Sequence, residues 1–162
     1  MAGILPVAKY NNNIYFFFGR EAMLPERRSS GLWSDFGGST EKNETKIQTA
    51  IREGHEETAG IIGNKYDIKH LIKHNLITKI STKTYTTYLI EIDHDKKLPI
   101  KLRRIYDNAL KYLYDDVMKS NGLYEKDRGK WIRLERLKNN MGMFRPWYKN
   151  IIYKIIEYFY HY

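Results

Sequence analysis

Residues 37–60, GGSTEKNETKIQTAIREGHEETAG, restrict the fold more than any other part of this chain. A glycine pair opens the segment, a turn where the backbone bends without a Cβ. Thr45 and Gln48 have the spacing of a capping box and predict a helix that starts at Thr45. On that helix Glu53, Glu56 and Glu57 stand at i, i+3 and i+4 and share one face. Like charges so placed repel by a few tenths of a kcal/mol per pair, more if partly buried. A hard divalent cation, Mg²⁺ or Mn²⁺, removes that cost because it prefers oxygen ligands. Ile47, Ala50, Ile51 and Gly54 form the expected inward stripe, and Gly60 and Gly63 end the helix.

Around this helix the hydrophobic pattern predicts strands at 4–9 and 14–19, joined by an asparagine turn at 11–13. Residues 32–36 lead into the glycine pair. Two more strand-like runs cover 76–80 and 84–92. The second places Tyr85, Thr87, Leu89 and Glu91 on one face and Thr86, Tyr88 and Ile90 on the other. Residues 103–119 read as a helix stopped by Asn121 and Gly122, and 130–134 as a short strand. Pro146 suits the first turn of a last helix, whose apolar stripe runs from Phe144 through Trp147, Tyr148, Ile151, Ile152, Ile155 and Ile156 to Phe159. That stripe is either core or a self-association face, so a homodimer is allowed. The order predicts a mixed sheet sandwiched by helices. With no repeat, low-complexity segment or linker, residues 1–162 are expected to form a single domain.

Composition narrows the function classes. The absence of cysteine excludes disulfides, thiolate zinc sites and a cysteine nucleophile. No apolar run approaches the roughly 18–20 residues of a membrane span, and the N-terminal pattern is not that of a signal peptide. An intracellular, cytoplasmic protein with no membrane partner is expected. Lys and Arg number 28 against 19 for Asp and Glu, a net charge of +9. Such an excess favours polyanionic partners such as nucleic acid or phosphorylated metabolites, or serves solubility alone.

The acidic segment also resembles a known signature. The Nudix hydrolase box reads G-x5-E-x7-R-E-U-x-E-E-x-G-U, with U aliphatic. Gly38, Glu44, Arg52, Glu53, Glu56 and Glu57 match it in register. Gly54 stands where an aliphatic residue is usual. The closing glycine comes one residue late, in Ala59-Gly60-Ile61, which suggests a slightly longer helix end. The resemblance implies an α/β fold, the Nudix-type α/β/α sandwich around a mixed β-sheet, and hydrolysis of a diphosphate linkage in a nucleoside-diphosphate derivative.

The same resemblance assigns roles residue by residue. Glu56 and Glu57 are expected to bind the metal. Glu53 joins them as a ligand or orients a water as base. Arg52 holds the carboxylates through charge-assisted hydrogen bonds. The carbonyl of Gly37 or Gly38 completes the shell, and Glu44 is structural. Nudix proteins often add a carboxylate from a later loop. Glu125, six residues ahead of Trp131, resembles that placement, with Asp127, Asp115 and Asp116 as competitors.

The remaining candidates are less specific. Arg20, Arg27 and Arg28 either reach a substrate phosphate or are solvated loop charges. Lys101, Arg103 and Arg104 form a second basic cluster. Trp33, Phe17, Tyr85 and Tyr88 either stack on a base or belong to the core. His70 and His74 have the i, i+4 spacing of a metal pair, but Leu71, Ile72 and the following strand argue against a helix there. The resulting expectation is an Mg²⁺- or Mn²⁺-dependent pyrophosphohydrolase. Capped RNA, as in mRNA decapping, is favoured as its substrate by the charge, and a small nucleotide by the short chain. The alternative is a catalytically inactive Nudix-fold module that binds nucleotide or RNA.

Overall fold

A strand over Ala2–Tyr10 is buried on both faces from residue 2 to residue 8, so it belongs at the centre of a sheet covered on two sides. The computed structural model describes residues 1–24, 26–113 and 124–161. Its strands are β1 (Ala2–Tyr10), β2 (Asn13–Glu21), β3 (Trp33–Ser34), β4 (Phe36–Gly38), β5 (Leu76–Ser81), β6 (Thr86–Glu91) and β7 (Lys126–Arg133). Its helices are α1 (Lys46–Glu57), α2 (Lys65–His74), α3 (Leu98–Tyr112) and α4 (Lys149–His161). One mixed sheet has the order β3-β2-β1-β6-β5, with β4 added to β1 and β7 to β2. β1 and β6 are parallel, in register from Ala2 opposite Thr86 to Val7 opposite Glu91. The β1–β2 turn places Asn11 and Asn12 at φ 48° and 62°, the left-handed pair of a tight hairpin.

Strand alternation divides the core in two. Leu5, Val7, Phe16, Phe18 and Leu89 pack against Ile151, Ile152 and Ile155 of α4. Ala2, Ile4, Phe17, Tyr88 and Ile90 pack against Ala50 of α1, Ile68 and Ile72 of α2, and Leu98 and Leu102 of α3. The result is the expected α/β/α sandwich around a mixed sheet. Among the described residues no helix is long and apolar enough to cross a membrane.

Several sequence expectations need correction. Residues 65–74 are helical: Asn64 and Asp67 form a reciprocal capping box, with both bonds at 2.9 Å. His70 and His74 therefore do share one helix face, with tilted rings whose centroids are 4.4 Å apart. Helix α3 begins at Leu98, ahead of residue 103, because Pro99 suits its first turn. Residues 114–119 of that expected helix, and its stop at Asn121 and Gly122, lie outside the described residues. The last strand starts at Lys126, earlier than 130. Pro146 opens a 3-10 turn, Pro146–Tyr148, and α4 follows at Lys149.

Helix α1 keeps its predicted start. Thr45 is the N-cap and exchanges both capping-box bonds with Gln48. Its buried face differs from the expected stripe: Ile47 is exposed, while Thr49, Ala50, Gly54 and Glu57 are buried. A Cβ at Gly54 would meet Ile4 Cδ1 at 2.7 Å. Ile4 of β1 thus fills the space that an aliphatic residue at position 54 would need. The helix is not lengthened by the late glycine. It ends at Glu57, and Ala59 and Gly60 take up the extra residue in a left-handed turn at φ 52° and 77°.

Candidate active site

The acidic face of α1, the glycine pair of β4, the end of β2 and the residues entering β7 enclose a cleft of about 400 Å³. Its acidic lining is Glu21, Glu53, Glu56, Glu57 and Glu125, five carboxylates drawn from three parts of the chain. Arg27, Ser29, Arg52, Arg145 and Trp147 line the rest of it with Met1 and the backbone of Gly37, Gly38 and Ser39.

The glycine pair matters because carboxylates lie directly on it. Gly37 N–H donates to Glu57 Oε2 at 2.9 Å. A Cβ at Gly38 would stand 2.5 Å from Glu53 Oε1. Beneath the pair, the Tyr85 hydroxyl donates to Asp35 Oδ1 at 2.6 Å and fills the space where a side chain at Gly37 would go. Burial pushes the Asp35 carboxyl up to about 6, against the hydrogen bonds that favour its charged form.

Arg52 organises the helix face. Its Nε donates to Glu44 Oε2 at 2.9 Å, and one terminal nitrogen donates to Glu53 Oε1 at 3.0 Å and to Glu56 Oε2 at 3.2 Å. The other reaches the Ser39 carbonyl at 2.8 Å and Glu44 Oε1 at 3.1 Å. One guanidinium thus ties the start of the helix to its acidic middle and to the loop after the glycine pair. The Arg52 hydrogen bonds hold the Glu44 carboxyl down to about 2, and Thr49 Oγ1 adds another at 2.7 Å. Burial pushes Glu53 above the ordinary carboxyl range, opposed by Arg52, while Glu56 and Glu125 add to the rise.

A buried lysine, which the sequence reading missed, backs the cleft. Lys126 Nζ donates to Glu21 Oε1 at 2.8 Å and to Ser34 Oγ at 3.0 Å, and lies 3.6 Å from Glu57 Oε2. Burial disfavours this ammonium, but Glu57 and Glu21 outweigh it and raise its pKa. Burial pushes Glu57 well up, and Lys126 opposes the rise. Arg145 also contacts Glu21 Oε1, at 3.3 Å.

The expected site residues separate here into two groups. Gly37, Arg52, Glu53, Glu56, Glu57, Glu125 and Arg27 line the cleft; Arg20, Arg28 and Trp33 do not. Arg20 grips Asp127 with two bonds of 2.8 Å, which also takes Asp127 out of the competition with Glu125. Arg28 is exposed on its loop. Trp33 packs on the core cluster of α4, where its backbone bridges Phe144. Phe17, Tyr85 and Tyr88 are buried core. Asp115 and Asp116 lie outside the described residues. Trp147, expected in the core stripe, stands 36% exposed in the cleft instead. It sits in the 3-10 turn, out of phase with the α4 stripe.

The donor chemistry of the cleft, carboxylate oxygens beside an accessible backbone turn, suits a hard divalent cation. Among the described residues no three acidic or imidazole groups already converge on one point. Arg52 bridges one oxygen each of Glu53 and Glu56, while Lys126 and the Gly37 N–H engage Glu57 Oε2.

No protein-family model matches the chain. The uncharacterized protein L534 of Acanthamoeba polyphaga mimivirus is 42% identical over 59 residues, 36% of this chain and 19% of that protein. The chain thus aligns with less than a fifth of that relative's length. Among solved structures, a C. elegans Ap4A hydrolase in a binary complex superposes with a TM-score of 0.55 at 16% identity, over 99% of this chain and 97% of that one. RenU, a Nudix hydrolase from M. smegmatis, gives 0.54 at 13% identity, covering 99% and 85%. A mutT/nudix family protein from Listeria innocua gives 0.50 at 11% identity, covering 99% and 91%. At these identities the likeness is one of fold: the chain has the sandwich of the Nudix hydrolases.

Proposed function

We propose that the chain is a divalent-metal-dependent pyrophosphohydrolase of Nudix type, acting as one domain over residues 1–162. Its substrate is a nucleoside-diphosphate derivative, either capped RNA or a small nucleotide. The observation that carries this reading is the lining of one cleft by five carboxylates beside Gly37 and Gly38. Glu56, Glu57 and Glu125, with a carbonyl of the glycine pair, would hold Mg²⁺ or Mn²⁺. The ion would offset the charge that develops on the phosphoryl oxygens. Glu53 takes a proton from the attacking water, a role that its raised proton affinity suits. Water oxygen bonds to phosphorus as the bridging anhydride oxygen leaves with the other phosphate. Arg52 positions Glu53 and Glu56, while Arg27 and Arg145, which also line the cleft, would meet the substrate phosphates.

The test is phosphate release from a panel of capped RNA, nucleotide sugars, dinucleoside polyphosphates and free triphosphates, with and without Mg²⁺ or Mn²⁺. Glu56→Gln is expected to lower turnover at least ~10²-fold, the scale of a lost charge-stabilising group. Turnover that ignores the substitution rejects the assignment. A second reading, a module that binds nucleotide or RNA without cleaving it, is favoured by the carboxylates being engaged by Arg52 and Lys126. It predicts binding with no metal-dependent release of phosphate from any member of the panel.

A further inference from the structure

Trp147 belongs to two cavities at once. On one side it closes the acidic cleft. On the other it lines a cavity of about 600 Å³ together with Lys83, Asn150, Tyr153 and Lys154. The indole is braced from behind by two buried rings, Tyr85 at 4.8 Å and Tyr148 at 5.5 Å between centroids. The Arg145 guanidinium lies 5.0 Å from its ring centre. A rigid, partly exposed indole of this kind is a stacking surface for a base, whatever the base.

The second cavity adds what a nucleotide needs beyond stacking. Lys83 lies between β5 and β6, and Lys154 lies on α4; both are exposed and neither has an acidic partner among the described residues. Tyr153, 54% exposed, offers a second ring. Two free ammonium groups and two aromatic faces beside a cleft for phosphate chemistry match a phosphate joined to a base. Lys154 also lines a third cavity of about 500 Å³ along β5, together with Lys79 and Glu157.

We propose that the cavity behind Trp147 binds a second nucleotide unit of the substrate, with Trp147 stacking on its base and Lys83 and Lys154 meeting its phosphate charge. The assignment rests on reading the acidic cleft as the site of anhydride hydrolysis. The unit comes either from a dinucleoside polyphosphate or from the body of an RNA whose 5′ end occupies the cleft.

The test measures binding by calorimetry and indole fluorescence in a Glu56→Gln background, so that it does not depend on turnover. The probes are ADP, diadenosine tetraphosphate and a short capped RNA. Trp147→Ala is expected to weaken the two longer probes about tenfold or more, the scale of a lost base stack. Trp147→Phe, which keeps a ring and guards against misfolding, is expected to restore most of that loss. Lys83→Glu with Lys154→Glu is expected to weaken the longer probes several-fold more than ADP and to flatten their salt dependence. A larger effect on the RNA assigns the cavity to an RNA chain; a larger effect on diadenosine tetraphosphate assigns it to the small molecule. Equal weakening of ADP and both longer probes, or no weakening of any, overturns the proposal. Absence of hydrolysis by the unmodified protein would reject the enzymatic reading alone, since the affinities would still decide the cavity.

Discussion

The two ends of β1 open onto cavities built on different principles. Met1, at one end, lines the cleft of about 400 Å³ with its five carboxylates. Lys9 and Tyr10, at the other, line a larger cavity of about 590 Å³ with Ile61, Leu71, Leu98 and His94. The far end is held by ring contacts: Tyr10 stacks on His94 at 4.6 Å and 12°, and His94 touches Tyr15 at 4.9 Å and Trp131 at 5.0 Å. Burial and Lys96 push the His94 pKa down, consistent with a neutral ring in a stack. Its charged lining, such as Lys9 with Glu91 at 3.7 Å, is solvated. Size therefore does not mark the chemistry. The smaller cavity has buried opposite charges, backbone without side chains and an arginine bonded to three glutamates; the larger has none of these.

The contrast can be broken most severely at Lys126. Lys126→Met leaves buried Glu57 without its cation and Glu21 with Arg145 alone, and is expected to cost about 3–5 kcal/mol in urea unfolding. Loss of less than ~1 kcal/mol would mean the acidic end is not held by this ammonium. Gly54→Leu forces side-chain atoms into Ile4 and is expected to cost about 2 kcal/mol by the same measurement. Glu44→Gln removes charge-assisted bonds to Arg52, with an expected loss of about 1.5 kcal/mol at neutral pH. The Glu44 carboxyl is held down to about 2 from an ordinary 4.5. Its contribution is therefore full above pH 4.5 and disappears as the pH falls toward 2. Unfolding curves of Glu44→Gln and the unmodified chain should converge across that window, and parallel curves would refute the assignment. The smallest effect belongs to the far end. Tyr10→Ala loses one ring stack, under about 1 kcal/mol, and leaves phosphate release unchanged in the same assay.

What could be read from the chain follows the range of the interactions involved. The α1 N-cap, the alternation of β6 and the α4 stripe are local periodicities, and each recurs in the structure. Helix α2 was legible too: Asn64 and Asp67 have the capping spacing, but the apolar Leu71-Ile72 pair masked it. Lys126 and Glu21 were not legible. They are 105 positions apart, and each looks like an ordinary surface charge until β7 and β2 pair. Arg20 misled for the same reason, because its partner Asp127 is as distant in sequence. Trp147 was displaced from the expected core by a 3-10 turn, which shifts the side-chain period just ahead of a regular helix.

The fit of Ile4 against Gly54 bears on how such a chain can evolve. A larger residue at position 54 lifts the helix away from β1, and with it the depth at which Glu53, Glu56 and Glu57 project. A smaller residue at position 4 first would make room for it. Mutational routes to an aliphatic side chain at 54 therefore have a cheaper order, in which the strand changes before the helix.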